Sequence, residues 1–581
     1  MRIRSSIVLT VTLFAAALFV ACGSPTTSNT GTGSKSGQRG GTLSYRMTAA
    51  PTTFNYLKAN DEPTVQLASF LLTSRLIDFD HKEQKYVPGL AESWKLGDDG
   101  KTVDVKLRDG LKFSDGSDLT ADDVVFTLNA IYDERTNSAV WKSAMLVNDK
   151  QITAKAVDKL NIQFVFPEKI ARPENYLNNL GVLPAKALKP DLDAGKLAES
   201  WKIDSDPTKI VTSGPFVVES VNVGEKVTLA RNPNYWKKDA GGTQLPYLDK
   251  LVIDVITDPN NTVARLQQDQ LDIADRIRPG DYATLNVPNA AVKPVDVGPG
   301  MSTDHIWFNL NDRTADGRDL SKTPKHEWFA DKRFRKAIAS AIDRETISNT
   351  TLRGLASPMN SFVSPANKAW LDPNAPKIEY GVGKASAMLA DAGFVKKGTP
   401  EAPELYDAKG NRVEFTLIVP VENEPRKLAA GVIQQDLAKL GINMQIAPIE
   451  NSAAVERWSR SFDYDAVLLG LAISDLEPSS YAAFLLSSGS QHQWQPSQKE
   501  PATDWEKQID QLFAEQATES DTQKRHEEFD RIQQIMSDEM PVIPVVTRHV
   551  VSAASAKVGN FSPSQIMPYS LWNIDRAYVT K

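Results

Sequence analysis

Residues 89–128, GLAESWKLGDDGKTVDVKLRDGLKFSDGSDLTADDVVFTL, contain the densest local structural signals in this 581-residue chain. Apolar and polar residues alternate on both sides of Asp99-Gly100, which predicts two strands joined by a hairpin turn, with Trp94 anchoring the hairpin. Thr120 begins a sequence that resembles a capping box and predicts the start of a helix. The segment therefore predicts an α+β unit early in the chain.

Farther along, the pattern changes to alternating strands and helices. Residues 413–419 alternate as a strand, residues 425–440 have the pattern of a helix that Gly441 ends, and residues 442–446 alternate again. Such a βαβ unit has parallel strands with a right-handed crossover. Residues 251–276 repeat the pattern, so the larger part of the chain is predicted to be α/β.

The N-terminus has the features of an export signal. An uncharged, mostly apolar run follows two arginines and covers residues 7–21, and the chain's one cysteine, Cys22, comes directly after it. This order resembles a bacterial lipobox, in which the cysteine is lipidated and becomes the mature N-terminus. Residues 1–22 are therefore predicted to be a lipoprotein signal peptide. The alternative is an ordinary signal peptide with an incidental cysteine, since Phe19 stands where the lipobox most often has Leu.

The next segment, residues 23–38, contains no large apolar side chain. Because it has nothing to bury, it is predicted to be a flexible tether. Such a segment spans roughly 20–24 Å on average. It would hold a globular body just off a lipid surface.

Composition and charge narrow the classes of function. A formal net charge of −7 and a pI near 5.6 argue against nucleic acid as a partner, because nucleic-acid binders usually present a basic face. One cysteine excludes an intrachain disulfide. At about 150 residues per domain, the length predicts roughly three to four domains.

Signals of catalysis are missing from the sequence. No two histidines have the i, i+4 spacing of a metal-binding helix, and no G-x-S-x-G nucleophile elbow occurs. Gly100-Lys101-Thr102 looks like the tail of a phosphate loop, but Lys95 stands where that loop needs its first glycine, so a hairpin turn is the better interpretation. We therefore predict no catalytic residue, no metal site, no cofactor and no enzymatic activity.

Four stretches together resemble the extracytoplasmic solute-binding proteins of family 5, which include oligopeptide, dipeptide and nickel binders of ABC importers. One is 89–128. The second ends in Arg-Asn-Pro-Asn-Tyr-Trp at 231–236 after a Gly-Pro-aromatic strand that starts near 213. The others are FADKRFRKAIASAIDRETI at 329–347 and MSDEMPVIPVVTRH at 536–549. Taken together, the four stretches extend the resemblance over nearly all of residues 40–581.

The resemblance implies an α/β, two-lobed periplasmic-binding-protein fold, with a hinge between the lobes and an extra subdomain in lobe one. We expect the lobes to close on ligand, and the C-terminus to return to lobe one. The expected boundaries are 39–60, 205–300 and 541–581 for lobe one, 61–204 for the extra subdomain, and 301–540 for lobe two.

The resemblance also implies the function. We expect a monomeric substrate-binding protein that takes a small, peptide-like solute into the interlobe cleft and delivers it to ABC permease subunits. Through lipid on Cys22 it would be anchored to the membrane, in the periplasm or at the cell surface. The alternatives are binding of an oligosaccharide or a nickel chelate for an ABC importer, and an exported receptor or chaperone lipoprotein without an importer.

Clefts of this kind are lined by aromatic side chains with a few polar groups that orient the ligand. In peptide-binding members, the loop that AISDLEP at 472–478 resembles carries an aspartate that pairs with the ligand's α-ammonium group, and Asp475 matches it. Ala472 stands where oligopeptide binders place a tryptophan. The alternative role for Asp475 is to shape the turn before a short helix. The full set of candidate ligand contacts is Phe54, Asn55, Trp370, Asp475, Tyr481, His492 and Trp494.

Overall fold

The computed structural model describes residues 37–147, 150–473, 475–496 and 498–580. The predicted signal peptide at 1–22, its Cys22 and nearly all of the tether at 23–38 lie outside the described residues. Within the described part of the chain, no helix has both the length and the hydrophobicity that crossing a bilayer requires.

One continuous sheet runs through both lobes. Two long antiparallel strands form its centre, Val292–Phe308, called the first crossing strand, and Val542–Ser555, called the second. On the lobe-one side the order continues through Ile273–Ala274, Thr42–Met47, Lys250–Val255, Lys226–Arg231 and Phe216–Asn222. On the lobe-two side it continues through Ala466–Leu471, Glu414–Pro420 and Asn443–Ile449, with Ala356–Pro358 paired to the second crossing strand.

The crossing strands change partners along their length. The part of the second strand near Ala553 pairs with Ile273–Ala274 of lobe one, whereas its part near Thr547 pairs with Ala356–Pro358 of lobe two. Between these parts the register of the two crossing strands shifts at Pro299/Thr303. Irregular pairing of this kind weakens the ladder locally and bends the strands. The strands therefore connect the lobes as a hinge would.

The extra subdomain has its own antiparallel sheet, in the order Ala91–Leu96, Thr102–Leu107, Asn161–Val165 and Thr153–Ala156. The hairpin Ile77–Asp80 with Lys85–Pro88 lies beside it. Two-residue strands also pair at Leu146–Val147 with Lys150–Gln151 and at Val558–Gly559 with Tyr578–Val579. The helices of lobe one and its subdomain are Glu62–Val65, Ala121–Tyr132, Ala139–Ala144, Glu174–Asn179, Ala185–Asp193, Pro259–Gln267 and Pro279–Leu285.

In lobe two, buried side chains form a packed layer on each face of the sheet. Ile306 and Phe308 belong to one buried layer and Trp307 to the other, because successive side chains of a strand point to opposite faces. A hairpin, Val395–Gly398 with Pro403–Tyr406, packs on the first layer. The helices are Pro324–Ala330, Lys332–Ala341, Val382–Asp391, Glu424–Ala438, Asn451–Glu456, Ala482–Leu485, Asp504–Thr518 and Thr522–Glu539.

Short 3₁₀ and π segments complete the description. The 3₁₀ turns are Tyr56–Lys58, Leu197–Glu199, Pro207–Lys209, Pro478–Tyr481 and Tyr569–Arg576. The π segments are Gln66–Leu71, Thr346–Thr351 and Arg457–Ser461.

The local predictions are confirmed. Asp99 accepts backbone hydrogen bonds from Lys101 and Thr102 in the hairpin turn, where Gly100 has φ +67°. Thr120 and Asp123 form the capping box. Glu414–Pro420 and Asn443–Ile449 pair in parallel across their helix, which Gly441 ends at φ +87°. The last strand predicted within 251–276 is only two residues long, and the boundaries predicted for the lobes and subdomain stay predictions.

Candidate ligand-binding cleft

A cavity of about 880 Å³ lies at the position predicted for the cleft. One wall comes from the extra subdomain and the other from lobe two, and the segment around Ile566 closes one side. This volume is in the range of small-molecule sites, which are roughly 300–1,000 Å³. The side chains used below are Arg75, Phe79, His81, Tyr86, Trp141, Glu168, Asn175 and Asp475, all of which line the cavity.

Asp475 lies on the lobe-two wall, in the loop that follows the strand Ala466–Leu471. Its Oδ1 accepts a hydrogen bond from the backbone N–H of Glu477 at 3.1 Å, and its carbonyl accepts one from Ser480 at 3.1 Å. Burial, with the nearby Glu477 charge adding to it, raises the pKa of Asp475 to about 6. Asp475 therefore shapes the turn and also presents a carboxylate to the cavity.

An aromatic row forms the facing wall. The ring of Phe79 lies 5.3 Å from the rings of both His81 and Tyr86. Tyr86 donates to Oδ1 of Asn175 at 2.7 Å, and burial together with the Asp475 charge raises the pKa of its phenol. Burial, assisted by the Arg75 charge, lowers the pKa of His81 to about 3, so His81 is neutral near pH 7. Tyr86 thus feels the charge of Asp475, and His81 feels the charge of Arg75.

The family model for the bacterial extracellular solute-binding proteins, family 5 Middle, matches residues 85–493. The chain belongs to this family. It is 27% identical over 600 residues to the oligopeptide-binding protein AppA of Bacillus subtilis, with 100% of each chain covered. It is 28% identical over 445 residues to a probable ABC transporter-binding protein of Deinococcus radiodurans, which covers 72% of this chain and 71% of the relative.

Solved structures agree with the fold. The structure of Bacillus subtilis AppA in complex with a nonapeptide has a TM-score of 0.67 at 27% identity, covering 94% of this chain and 100% of AppA. The ABC transporter substrate-binding protein CtaP of Listeria monocytogenes has a TM-score of 0.75 at 23% identity, with 94% and 100% covered. The two-lobed α/β fold predicted from the sequence is confirmed, and this family 5 protein is a substrate-binding protein of an ABC transporter, not an enzyme.

Phe54 and Asn55, predicted as ligand contacts, lie inside lobe one. Phe54 is buried in the core. The Asn55 side chain accepts a hydrogen bond from Leu57 N–H and donates to the carbonyls of Leu197 and Ser200, at 3.0, 2.8 and 3.2 Å. These contacts use its amide without a ligand. Neither residue lines the cavity, and their role as ligand contacts stays a prediction.

Trp370 and Tyr481 are buried and do not line the cavity. Trp370 stacks on His526 at 4.2 Å and lies under the Arg525 guanidinium at 4.9 Å. Tyr481 is fully buried, and its ring packs 5.7 Å from Phe529. Their contact with ligand also stays a prediction. Arg525, which lies over Trp370, pairs with Glu477 in the loop that carries Asp475.

His492 and Trp494 are buried in lobe two around Glu506. Trp494 donates from Nε1 to Oε1 of Glu506 at 2.9 Å, and His492 Nε2 lies 3.3 Å from the same oxygen. The Trp494 ring packs 5.7 Å from Trp505. Neither residue lines the cavity, so a ligand role for this pair stays a prediction.

The subdomain wall contains the residues that the sequence analysis missed, including Arg75, Tyr86 and Trp141. Arg75 forms an isolated β-bridge, Tyr86 lies in a short strand and Trp141 in a short helix, and no sequence motif marks any of the three as a ligand contact. The available signal was the hairpin Ile77–Asp80 with Lys85–Pro88, because aromatic residues on both of its strands face one another. No group of His, Cys, Asp and Glu that could hold a metal occurs among the residues that the structure describes.

Proposed function

We propose that this family 5 protein captures a peptide-like solute in the interlobe cavity, pairs the solute's α-ammonium group with Asp475, and delivers it to the permease subunits of its importer. The observation that carries this proposal is the Asp475 carboxylate, which is partly buried on the cavity wall and has no ion-pair partner among the described residues. An α-ammonium group would supply a charge-assisted hydrogen bond there. The relative AppA, an oligopeptide-binding protein solved with a nonapeptide, supports the same class of ligand.

The test compares two mixtures of random tetrapeptides by native mass spectrometry, one with free ends and one with N-acetylated ends. Wild-type protein should bind the free-ended mixture at least about thirtyfold more tightly than the N-acetylated one. Asp475→Asn should abolish this preference while keeping an Oδ1 acceptor for the Glu477 N–H. Equal binding of the free and N-acetylated mixtures by wild-type protein would contradict the pairing.

Delivery by a binding protein requires that the ligand leave chemically unchanged. Peptide recovered from the saturated protein should therefore have its original mass and amount. Hydrolysis of more than one peptide per protein molecule would contradict the proposal.

We also propose that the protein acts as a monomer tethered through lipid on Cys22. The support is the position of Cys22, directly after the apolar run and before a segment without large apolar side chains. One acyl chain holds a protein to membranes only marginally, so stable anchoring requires more than one. Cys22→Ser should move the exported protein from the membrane fraction to the soluble fraction. A Cys22→Ser protein that is exported and stays on the membrane would exclude the tether.

A further inference from the structure

Three side chains at the centre of the large sheet form a continuous hydrogen-bonded relay. His549, on the second crossing strand, places Nδ1 at 2.9 and 3.0 Å from the two carboxylate oxygens of Asp296, and its Nε2 lies 2.8 Å from the Ser357 hydroxyl. A carboxylate only accepts hydrogen bonds, so Nδ1 donates to Asp296, and Nε2 of the neutral ring accepts from Ser357. A protonated ring donates from both nitrogens, and the hydroxyl can turn to accept. Either protonation state therefore keeps both contacts.

The two ends of the relay lie in different lobes. Asp296 pairs with Val551 on the lobe-one side of the crossing strands, next to their contact with Ile273–Ala274. Ser357 lies in Ala356–Pro358, the strand through which the second crossing strand contacts lobe two. One imidazole therefore connects the lobes.

The hinge lies between these two ends. His549 is opposite Pro299, at the edge of the register shift that separates Pro299 from Thr303. Because the ladder is interrupted there, the strands can bend at the shift. Bending changes the separation of Asp296 and Ser357, and the rigid imidazole ring can bond both of them in only a narrow range of lobe orientations.

The order of groups in the relay also occurs in serine hydrolases. Hydrolysis further requires donors for an oxyanion and a substrate site beside the serine. Ser357 does not line the cavity, and its strand keeps an unbroken register with the second crossing strand from Ala356 to Pro358. The position of the relay therefore favours a mechanical role at the hinge over catalysis.

The lobes meet across the cleft in this structure, because Gln84 of the subdomain donates a hydrogen bond to the carbonyl of Ala366 in lobe two at 3.0 Å. We propose that Asp296, His549 and Ser357 form a hinge latch that holds the lobes in this closed orientation and breaks when they open. The latch regulates the binding site, and the inference rests on the proposed function for its ligand. A latch that forms only in the closed orientation adds its free energy to ligand affinity.

The first measurement is the affinity for the free-ended tetrapeptide mixture. His549→Phe keeps a ring but removes both nitrogens, so it should bind the mixture about thirtyfold more weakly than wild-type protein. Ser357→Ala removes one bond and should bind about fivefold more weakly. His326→Phe is the matched control, because the contact of His326 with Asp312 at 3.5 Å lies within lobe two, and it should bind as wild-type protein does.

The second measurement is the distance between the lobes. Val157→Cys and Leu428→Cys place spin labels on exposed positions of the subdomain and of lobe two, in the exported Cys22→Ser protein, which has no other cysteine. Double electron–electron resonance then gives the populations of the open and closed orientations. Because the latch uses no ligand atom, it also acts in the empty protein. His549→Phe should therefore lower the closed population with and without peptide, whereas His326→Phe should leave it unchanged.

The outcomes separate this inference from the proposed function. A folded His549→Phe protein with wild-type affinity and wild-type distances overturns the latch, and a lower melting temperature alone would mean that the relay only stabilises the fold. If wild-type protein binds neither tetrapeptide mixture, the proposed function is wrong, and the empty protein decides about the latch: an unchanged distance distribution in His549→Phe overturns it. Should His549→Phe not fold, Ser357→Ala carries both measurements.

Discussion

Arg525 donates a hydrogen bond from Nη2 to Oε2 of Glu477 at 2.8 Å, and the two side chains keep only 5% and 8% of their surface exposed. The pair joins the loop that carries Asp475 to the helix Thr522–Glu539. Arg525 also lies over the Trp370 ring at 4.9 Å. The loop at the cavity wall is therefore held from behind by a buried ion pair.

Arg525→Met should destabilise the protein, because it leaves Glu477 buried without a partner. We expect a loss of about 3–5 kcal/mol in the free energy of unfolding, measured with urea. The double variant Arg525→Met/Glu477→Gln should recover part of the loss. Lys189→Met removes one member of the exposed pair Lys189–Asp193 and should change the free energy by less than about 1 kcal/mol. If Arg525→Met behaved like this control, the loop would not depend on the buried pair.

Glu506 should contribute stability that depends on pH. Burial by itself would raise its pKa, but hydrogen bonds from His492, Trp494 and Thr503 outweigh burial and lower the pKa to about 2. A lowered pKa stabilises the folded state above the ordinary value of 4.5, and the contribution is lost as pH falls from 4.5 toward 2. Glu506→Gln should therefore cost about 3 kcal/mol at pH 7, and the difference from wild-type protein should be clearly smaller at pH 3.

A matched variant tests the predicted ligand role of Trp494. Because its indole N–H bonds Glu506, Trp494→Phe should lower the free energy of unfolding by about 1–3 kcal/mol. Affinity for the free-ended tetrapeptide mixture should not change. A folded Trp494→Phe protein with wild-type stability and weakened binding would instead place Trp494 at the ligand.

The sequence could predict features formed by consecutive residues, but not features that join distant segments. The hairpin turn at Asp99-Gly100 and the capping box at Thr120 are determined by a few consecutive residues, so their patterns were sufficient. The βαβ unit that Gly441 completes is also continuous in sequence. The cavity wall is different: it joins residues 65–179 to residues 475–518, and only the packing of the subdomain against lobe two brings them together.

Trp494 is a single residue whose packing partners are distant in sequence and therefore could not be predicted from its neighbours. Its neighbours in SSGSQHQWQPSQ are polar, which favoured a position at the ligand. The structure supplies its partners from elsewhere, namely Phe484, Trp505 and the carboxylate of Glu506. One signal was present in the sequence, because Thr503-x-x-Glu506 is a capping box and places a glutamate at the helix start, within reach of a buried donor.

Binding of free-ended peptides should weaken in acid because of Asp475. Its pKa is raised from the ordinary 3.8 to about 6 by burial and by Glu477, and the phenols of Tyr86 and Tyr481 also lie close enough to feel its charge. Only the carboxylate pairs with an ammonium group, so affinity should fall about tenfold per pH unit below 6. Isothermal titration calorimetry from pH 5 to 8 would measure this. Asp475→Asn should remove the dependence, whereas Glu168→Gln, which alters an acid already paired with Lys150, should keep it.

The same raised pKa has the opposite effect on the empty protein. The charged form of Asp475 is disfavoured in the folded state, so the cost to stability grows as pH rises from 3.8 to about 6 and is constant above that. Asp475→Asn should therefore raise the melting temperature of the empty protein at pH 7.5 and leave it nearly unchanged at pH 4. A lower melting temperature at pH 7.5 would mean that Asp475 acts mainly in the turn.

Closure of the lobes should depend on a hydrogen bond across the cleft. Gln84, in the turn of the subdomain hairpin, donates from Nε2 to the carbonyl of Ala366 in lobe two at 3.0 Å. A ligand stabilises closure only through its preference for the closed form. If the Gln84–Ala366 hydrogen bond forms only when the lobes close, its removal weakens ligand binding by the free energy of that bond. One hydrogen bond contributes about 1 kcal/mol, which corresponds to roughly fivefold in affinity.

Gln84→Asn is the variant of choice, because asparagine tolerates the φ of +49° at this position while its shorter side chain no longer reaches Ala366. It should bind the free-ended tetrapeptide mixture about fivefold more weakly and leave the melting temperature of the empty protein unchanged. Small-angle scattering should show a smaller radius of gyration for the peptide-saturated wild-type protein than for the empty wild-type protein. At equal peptide concentration, the radius of gyration of Gln84→Asn should decrease less. Glu83→Gln, an exposed neighbour in the same turn, is the control and should match wild-type protein in both measurements. Unchanged affinity in Gln84→Asn would show that the bond is equally present in the open and closed forms and contributes nothing to closure.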